Sequence, residues 1–285
     1  MFKKKRKDGY LVEMEPVFKI IPLVMEERSD AQVWMGQDIP TAPLDKYIRE
    51  KKKEGINIGY MHILYAATIR TLLVRPKLNQ FIMKGRLYRR NSITISMMVK
   101  KDMTIDGEET AIKVDFTGHE TPAEIKEILN KEIFKEKAQQ DEDNEMDALV
   151  KLLTKMPQGL LRWVAKFVKF LDRNNMMPNS IIKASPFHTS AFITNIGSLG
   201  IDAIFHHIYN FGTVGIFLSL GKIKRRYILN KEGKPEEEKT IGISFVADER
   251  ICDGYYFASA LKQLFRYLKR PELLDLPVDE EAIHE

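Results

Sequence analysis

The 285-residue chain has one cysteine, Cys252, so no disulfide can form within it, which agrees with a reducing compartment. It has no apolar run approaching the ~20 residues that cross a bilayer, and no apolar stretch follows its basic start as a signal peptide requires. A cytoplasmic location and no transmembrane segment are expected. Spacings of His, Cys, Asp and Glu that suit a structural zinc site are missing, as is a Gly-rich phosphate loop, so no metal is expected. With 44% hydrophobic and 30% charged residues, the composition is that of an ordinary globular protein, long enough for one large domain. The net charge of +5 comes partly from Lys3, Lys4, Lys5, Arg6 and Lys7. That run predicts a solvated basic tail over residues 1–15. Its other reading, a handle for anionic partners, rests on the run alone, and no nucleic-acid partner is expected.

Periodicity supplies the elements. Val17 to Met25 is apolar but interrupted by Pro22, where a continuous helix would kink. Ala31 to Ile39 reads as a strand, and Pro43 to Lys53 as a charged surface helix ended by Gly55. Leu64, Tyr65, Thr68, Ile69 and Leu72 mark a strongly amphipathic helix that stops before Pro76. Arg86 to Tyr88 and Ser92 to Val99 are strand candidates, followed by a less patterned segment to Phe116. Thr121-Pro122-Ala123-Glu124 is a capping box that starts a helix running to about Lys137, after which Gln139 to Glu145 reads as a loop. From Met146 to Arg173, Leu149, Leu152, Leu153, Met156, Leu160, Leu161, Val164, Phe167, Val168 and Leu171 form an apolar stripe broken at Pro157. The stripe predicts two helices that pack on the core or cover a cleft. The alternative is attachment to a membrane surface or a partner, which Trp163 with Arg162, Lys166 and Lys169 suits. Lys222 to Leu229 and Glu237 to Ala247 form a hairpin around Asn230-Lys231-Glu232-Gly233.

Two phrases carry the chemistry. Asp248-Glu249-Arg250-Ile251-Cys252-Asp253-Gly254 lies between the alternating strand Ile241 to Ala247 and a helix marked by Phe257, Leu261, Leu264, Phe265 and Leu268. It resembles the active-site signature Asp-His-Arg-x-x-Asp-Gly of the catalytic domain of 2-oxoacid dehydrogenase (dihydrolipoamide) acyltransferases. Cys252, Asp253, Gly254 and Tyr255 also match the chloramphenicol acetyltransferase form. Phe192-Ile193-Thr194-Asn195-Ile196-Gly197 resembles that family's Phe-Thr-Ile-Ser-Asn-Leu-Gly, with Thr194 in place of the serine that steadies the oxyanion. The resemblance covers residues 186–275 and, more weakly, 16–99.

The resemblance implies an α/β (α+β) chloramphenicol acetyltransferase-like fold, a mixed sheet flanked by helices. It also implies a homotrimer or higher assembly with active sites between subunits. On this reading residues 1–285 are a single acyltransferase-like catalytic domain, with a helical insertion over 138–180 and no lipoyl domain. A coenzyme A thioester is the expected donor; a lipoyl group would have to arrive on another protein. The implied catalytic residues are Glu249, Asp253 and Thr194, supported by Arg250, Gly254 and Asn195. Asp253 is expected to hold the site through an ion pair, and Gly254 to allow close packing or a special backbone geometry. The departure is Glu249, which stands where the family has its histidine. Acyl transfer needs a base near neutrality and donors to hold charge on the carbonyl oxygen. A glutamate starts as a weak base and needs burial to become a better one. His206, His207 and His188 are the alternative bases. Two functions follow from this balance: an acyltransferase with an altered site, or an inactive relative that keeps the trimeric core as a scaffold or ligand-binding module.

Overall fold

The strand Pro235–Asp248 (β9) is buried from Thr240 to Asp248, because helices cover one of its faces and a long loop covers the other. The structure is a computed structural model describing residues 6–100, 109–138 and 155–278. Around β9 lie the antiparallel strands Gln32–Pro40 (β2) and Ile216–Leu229 (β8), then Ala191–Asn195 (β7), Ile93–Lys100 (β5) and Glu109–Phe116 (β6). The order is β2-β9-β8-β7-β5-β6, with β8, β7 and β5 parallel, so the sheet is mixed. A second, antiparallel sheet joins Gly9–Leu11 (β1), Arg86–Arg90 (β4) and Gln80–Met83 (β3).

One face of the large sheet presents Ile193, Ile216, Leu218, Ile241, Ile243 and Phe245 to the helices Ala42–Lys53 (α2), Tyr60–Val74 (α3), Pro122–Ala138 (α4) and Gly254–Lys269 (α7). The other face stacks Phe192 on Phe217, with Val246 beside them, beneath Ile208 of the covering loop. The expected hairpin is present, but β8 runs through Gly221 as one strand with a register shift between Leu220 and Ile223. Alternation of buried Thr110, Ile112, Val114 and Phe116 makes β6 a strand where the sequence looked less patterned; its period is masked by Lys113 and Asp115.

The helix expected to be amphipathic, α3, is instead buried on nearly all sides from Ile63 to Leu72. It lies against the sheet with α4 and α7 at its flanks. Its one arginine, Arg70, is tolerated there because Nε donates to Gly118 O, Nη1 to Leu276 O and Nη2 to His119 O. The capping box forms as expected: Thr121 N donates to Glu124 Oε2 at 2.8 Å, and Glu124 N to Thr121 Oγ1 at 3.3 Å.

Two further expectations are corrected. The basic tail over 1–15 is not a solvated run in its described part. Arg6 is buried, its guanidinium paired with Asp8 at 2.9 Å and with Asp172 at 2.9 Å, and β1 pairs with β4. An arginine goes inside here because two carboxylates receive it. The apolar stripe, in its described part, is the helix Gln158–Arg173 (α5), and only Asp172 is fully buried. Of that stripe, Leu161, Val164, Val168 and Leu171 are half-buried, whereas Leu160 and Phe167 join Trp163 and Phe170 on an exposed second edge. Leu149, Leu152, Leu153 and the loop expected over 139–145 lie outside the described residues. A short helix, Asn179–Ala184 (α6), links α5 to β7.

Burial by itself would raise the pKa of Asp172, but His188, whose Nε2 lies 3.2 Å away, and Arg6 outweigh it and hold the carboxyl below its ordinary value. A depressed folded-state pKa gives stability that is fully present above the unfolded value near ~4 and is lost as pH falls through the folded value. Asp172→Asn is therefore expected to lower neutral-pH stability by on the order of 1–3 kcal/mol. Urea unfolding at pH values from neutral down to acid should show the gap between wild type and variant closing at the acid end.

Candidate active site

Ladder pairing of β9 ends at Asp248, whose amide donates to Gly215 O at 2.9 Å. A single 3-10 turn, Glu249–Ile251, follows, and α7 begins after Cys252 and Asp253. Asp248 Oδ1 accepts from Arg250 N at 3.1 Å and Nε at 2.8 Å, and Oδ2 accepts from Nη2 at 2.8 Å. This is a bidentate fork, the strong form of a carboxylate–guanidinium pair. Arg250 Nη1 also donates to Met25 O and Glu26 O. Arg28 approaches the same carboxylate, Nε lying 3.6 Å from Oδ2, while its Nη1 donates to Tyr209 O and its Nη2 to Gly212 O. Burial pulls Arg28 below the usual arginine value, with the Asp248 charge opposing. Arg28 escaped the sequence reading because its partner, Asp248, is 220 residues away and no local pattern marks it.

The expected ion pair at Asp253 is not made among the described residues, where the ion pair of the turn belongs to Asp248. Asp253 caps α7 instead, with Oδ1 accepting from Tyr256 N at 2.8 Å. Gly254 is the first residue of α7, and a Cβ there would meet nothing within 4 Å, so neither close packing nor a special backbone explains it. Burial, and after it the charge of Asp253, pushes the Cys252 thiol up to about 12, which keeps it protonated and poorly suited to nucleophilic attack. Arg250 turns inward to Asp248, away from solvent, whereas Glu249 is exposed in the single chain.

Glu249, Cys252, Asp253 and Gly254 form one side of a cleft of roughly 400 Å³. Phe18, Ile21, Met25, Val33 and Phe257 supply its apolar walls. Thr194 and Asn195 lie elsewhere. Thr194 pairs with Ser219 of β8, Ser219 pairs with Ser244 of β9, and Glu249 is five residues beyond Ser244. At about 3.3 Å per residue and about 4.8 Å per strand, the two ends of the proposed site are on the order of 15–20 Å apart in one chain. Beyond Asn195, the turn depends on two glycines: a Cβ on Gly197 would lie 2.2 Å from Gly221 O, and one on Gly221 would lie 2.2 Å from Ala203 N.

The histidines divide. His188 is buried, with Nδ1 2.9 Å from Ser185 Oγ and Nε2 facing Asp172. His207 is exposed against the edge of Tyr209. His206 stacks on Phe217 at 4.3 Å, two residues along β8 from the partner of Thr194, and its Nε2 is buried with no hydrogen-bond partner among the described residues. Burial, then the neighbouring His207, lowers the His206 pKa, which favours the neutral ring. Among the described residues, no group of three or more His, Cys, Asp or Glu side chains is placed to hold a metal ion.

A mixed sheet flanked by helices, with a strand-turn-helix junction at one end of its central strands, is the chloramphenicol acetyltransferase-like fold of acyltransferase cores. The family resemblance read from the sequence is shown: residues 179–276 match the family described as 2-oxoacid dehydrogenases acyltransferase (catalytic domain), and this stretch contains both the Thr194 phrase and the Asp248–Gly254 turn. The fold is shared with the probable dihydrolipoamide acetyltransferase of Listeria monocytogenes 4b F2365, at TM-score 0.53 and 14% identity over 96% of this chain and 97% of that one. A truncated catalytic core of the 2-oxoacid dehydrogenase multienzyme complex from Thermoplasma acidophilum gives TM-score 0.55 and 15% identity over 92% and 98%. The dihydrolipoamide acetyltransferase of Azotobacter vinelandii, investigated for the role of a serine, a histidine and an asparagine in its catalytic mechanism, gives 0.53 and 14% over 93% and 94%. At these identities what is shared is the fold. No curated protein matches the chain significantly in sequence.

Asp248→Asn leaves Arg250 and Arg28 without their buried counter-charge and is expected to cost about 3–5 kcal/mol. Asp253→Ala removes only a helix cap and should cost about 0.5–2 kcal/mol. Urea unfolding of both variants measures the difference, and equal losses would show that Asp248 is not the anchor.

Proposed function

We propose that the protein is an acyltransferase that moves an acyl group between coenzyme A and a thiol or other acceptor, with Glu249 in the position of the family's histidine. The observation that carries this reading is the cleft itself: apolar walls suited to an acyl chain face a turn bearing Glu249 and Asp253. The base takes the acceptor's proton, the freed thiolate attacks the thioester carbonyl, and the coenzyme A sulfur leaves and regains a proton. The Thr194 hydroxyl donates to the carbonyl oxygen as charge builds there. Since Thr194 and Glu249 of one chain stand on the order of 15–20 Å apart, the site is completed between copies of a trimer, Glu249 of one protomer meeting the partner's Thr194. Enclosure by the partner also supplies the burial that a carboxylate base needs. Arg250 and Gly254 shape the turn, and Asn195 shapes the loop after Thr194. A free coenzyme A thioester is the donor; a lipoyl group would be delivered by another protein. No metal takes part, and the setting is the cytoplasm.

A second reading is favoured by the exposure of Glu249 in the single chain: a relative that lost its base and keeps the assembly as a scaffold or ligand-binding module. His206 is the alternative base, since it lies on the same sheet face as Thr194 and its Nε2 has no hydrogen-bond partner among the described residues.

Coenzyme A release from acetyl- and longer acyl-coenzyme A, with thiol, amine and alcohol acceptors, separates these readings. Glu249→Gln is expected to lower turnover by about 10²- to 10⁴-fold. Mixing Glu249→Gln protomers with Thr194→Ala protomers should restore part of the activity, because mixed interfaces rebuild intact sites. Loss in His206→Gln with retention in Glu249→Gln moves the base to His206. A silent wild type with active Glu249→His establishes the scaffold reading.

A further inference from the structure

The helix α5 shows an arrangement that acyl transfer does not explain. At about 100° per residue, Phe170, Trp163, Phe167 and Leu160 fall within an arc of about 80°. All of them are exposed, at 55%, 62%, 45% and 48%. Trp163 and Phe167 stack on each other with ring centres 5.5 Å apart, and both remain exposed among the described residues. On the inner side, Leu161, Val164, Val168 and Leu171 are half-buried and Asp172 is held by Arg6, which fixes the helix to the body of the protein. Next to the exposed apolar arc come Lys166, Arg173, Arg162 and Lys169. The helix has one acidic residue, Asp172, and it is buried, so every exposed ionisable side chain on α5 is basic.

The surface continues beyond the helix. Arg173 pairs with Glu27 at 2.6 Å, and Asn174 accepts from Lys84 at 2.5 Å. Between them these contacts set the end of α5 beside the β3–β4 turn, where Leu23 also lies. Leu23 belongs to a segment whose Val17, Ile20, Leu23 and Val24 are 69%, 61%, 68% and 77% exposed. The opposite side of that segment, through Phe18, Ile21 and Met25, walls the active-site cleft.

We infer that α5 docks on the surface of a bilayer carrying anionic lipids, its Leu160, Trp163, Phe167 and Phe170 edge entering the interface and its basic flank meeting the phosphates. An apolar face carrying Trp, Phe and Leu beside Lys and Arg is the pattern of an interfacial helix. Positive charge complements phosphate headgroups, whereas a two-fold pairing with a second copy sets like charge against like. None of the described helices is long and apolar enough to cross a membrane, so the contact is with the surface only. Docking on this side holds the Val17–Val24 segment, and with it one wall of the cleft, close to the lipid. The inference stands independently of which residue is the base.

The test is co-sedimentation of the full chain with phosphatidylglycerol-containing vesicles and with phosphatidylcholine vesicles, in a Trp34→Phe background so that Trp163 alone reports by fluorescence. Binding to the anionic vesicles, a blue shift of Trp163 emission and weakening by salt are expected. Phe167→Ser with Phe170→Ser, and separately Lys166→Glu with Lys169→Glu, should each lower partitioning by on the order of tenfold or more. Circular dichroism and the melting temperature should stay at wild-type values because these side chains are exposed. Failure of the chain to sediment with anionic vesicles overturns the proposal, as does binding that both double variants leave unchanged. Conversion of an oligomer to monomers by Phe167→Ser with Phe170→Ser, without vesicle binding, overturns it and assigns the face to a second copy.

Discussion

A single carboxylate, Asp248, forked by Arg250 and approached by Arg28, is the constraint on which the geometry of the candidate site depends. It stands where β9 leaves the sheet, and the two arginines that neutralise it extend to the carbonyls of Met25, Glu26, Tyr209 and Gly212. Three stretches distant in sequence are thereby fixed around one turn. The cost of burying two guanidinium groups beside one carboxylate is offset by those carbonyls, which accept the remaining donors. Because Arg250 is committed inward, its neighbour Glu249 is left facing the cleft.

The same device recurs at the other end of the N-terminal segment. Arg6 joins Asp8 to Asp172, so the start of the chain and the end of α5 are held to the sheet edge by buried charge. Ionic anchors of this sort are specific in geometry, since an unpaired partner is heavily penalised in a dry interior. They explain how Arg6, a member of a strongly basic run, comes to be buried. They also explain how α5 stays attached while turning an apolar edge outward.

A division of labour follows from the sheet. Its helix-covered face is a continuous apolar core built on α3, whereas its other face carries Phe192, Phe217, His206 and the Thr194 phrase. Glu249 and Thr194 of one chain stand on the order of 15–20 Å apart. A reaction that uses both needs a second copy, and an open cleft on a single chain is what such an arrangement leaves behind.

Local sequence fixed what is local in physics. The alternation Ile241 to Ala247, the Thr121 capping box, the hairpin at Asn230 to Gly233 and the glycine after Thr194 each depend on a few neighbouring residues, and each is found where the pattern puts it. Two short phrases were enough to reveal the family resemblance, since a strand-turn-helix junction keeps its chemistry within seven residues. Tertiary structure alone decided which carboxylate is anchored and which caps a helix, because ion pairs join residues that the sequence keeps 220 positions apart. It alone showed that α3 is buried on nearly all sides from Ile63 to Leu72, that Arg6 is inside and that α5 turns a second apolar edge, Leu160, Trp163, Phe167 and Phe170, outward. Periodicity reveals that a helix has an apolar face; what that face meets is set by the elements folded against it.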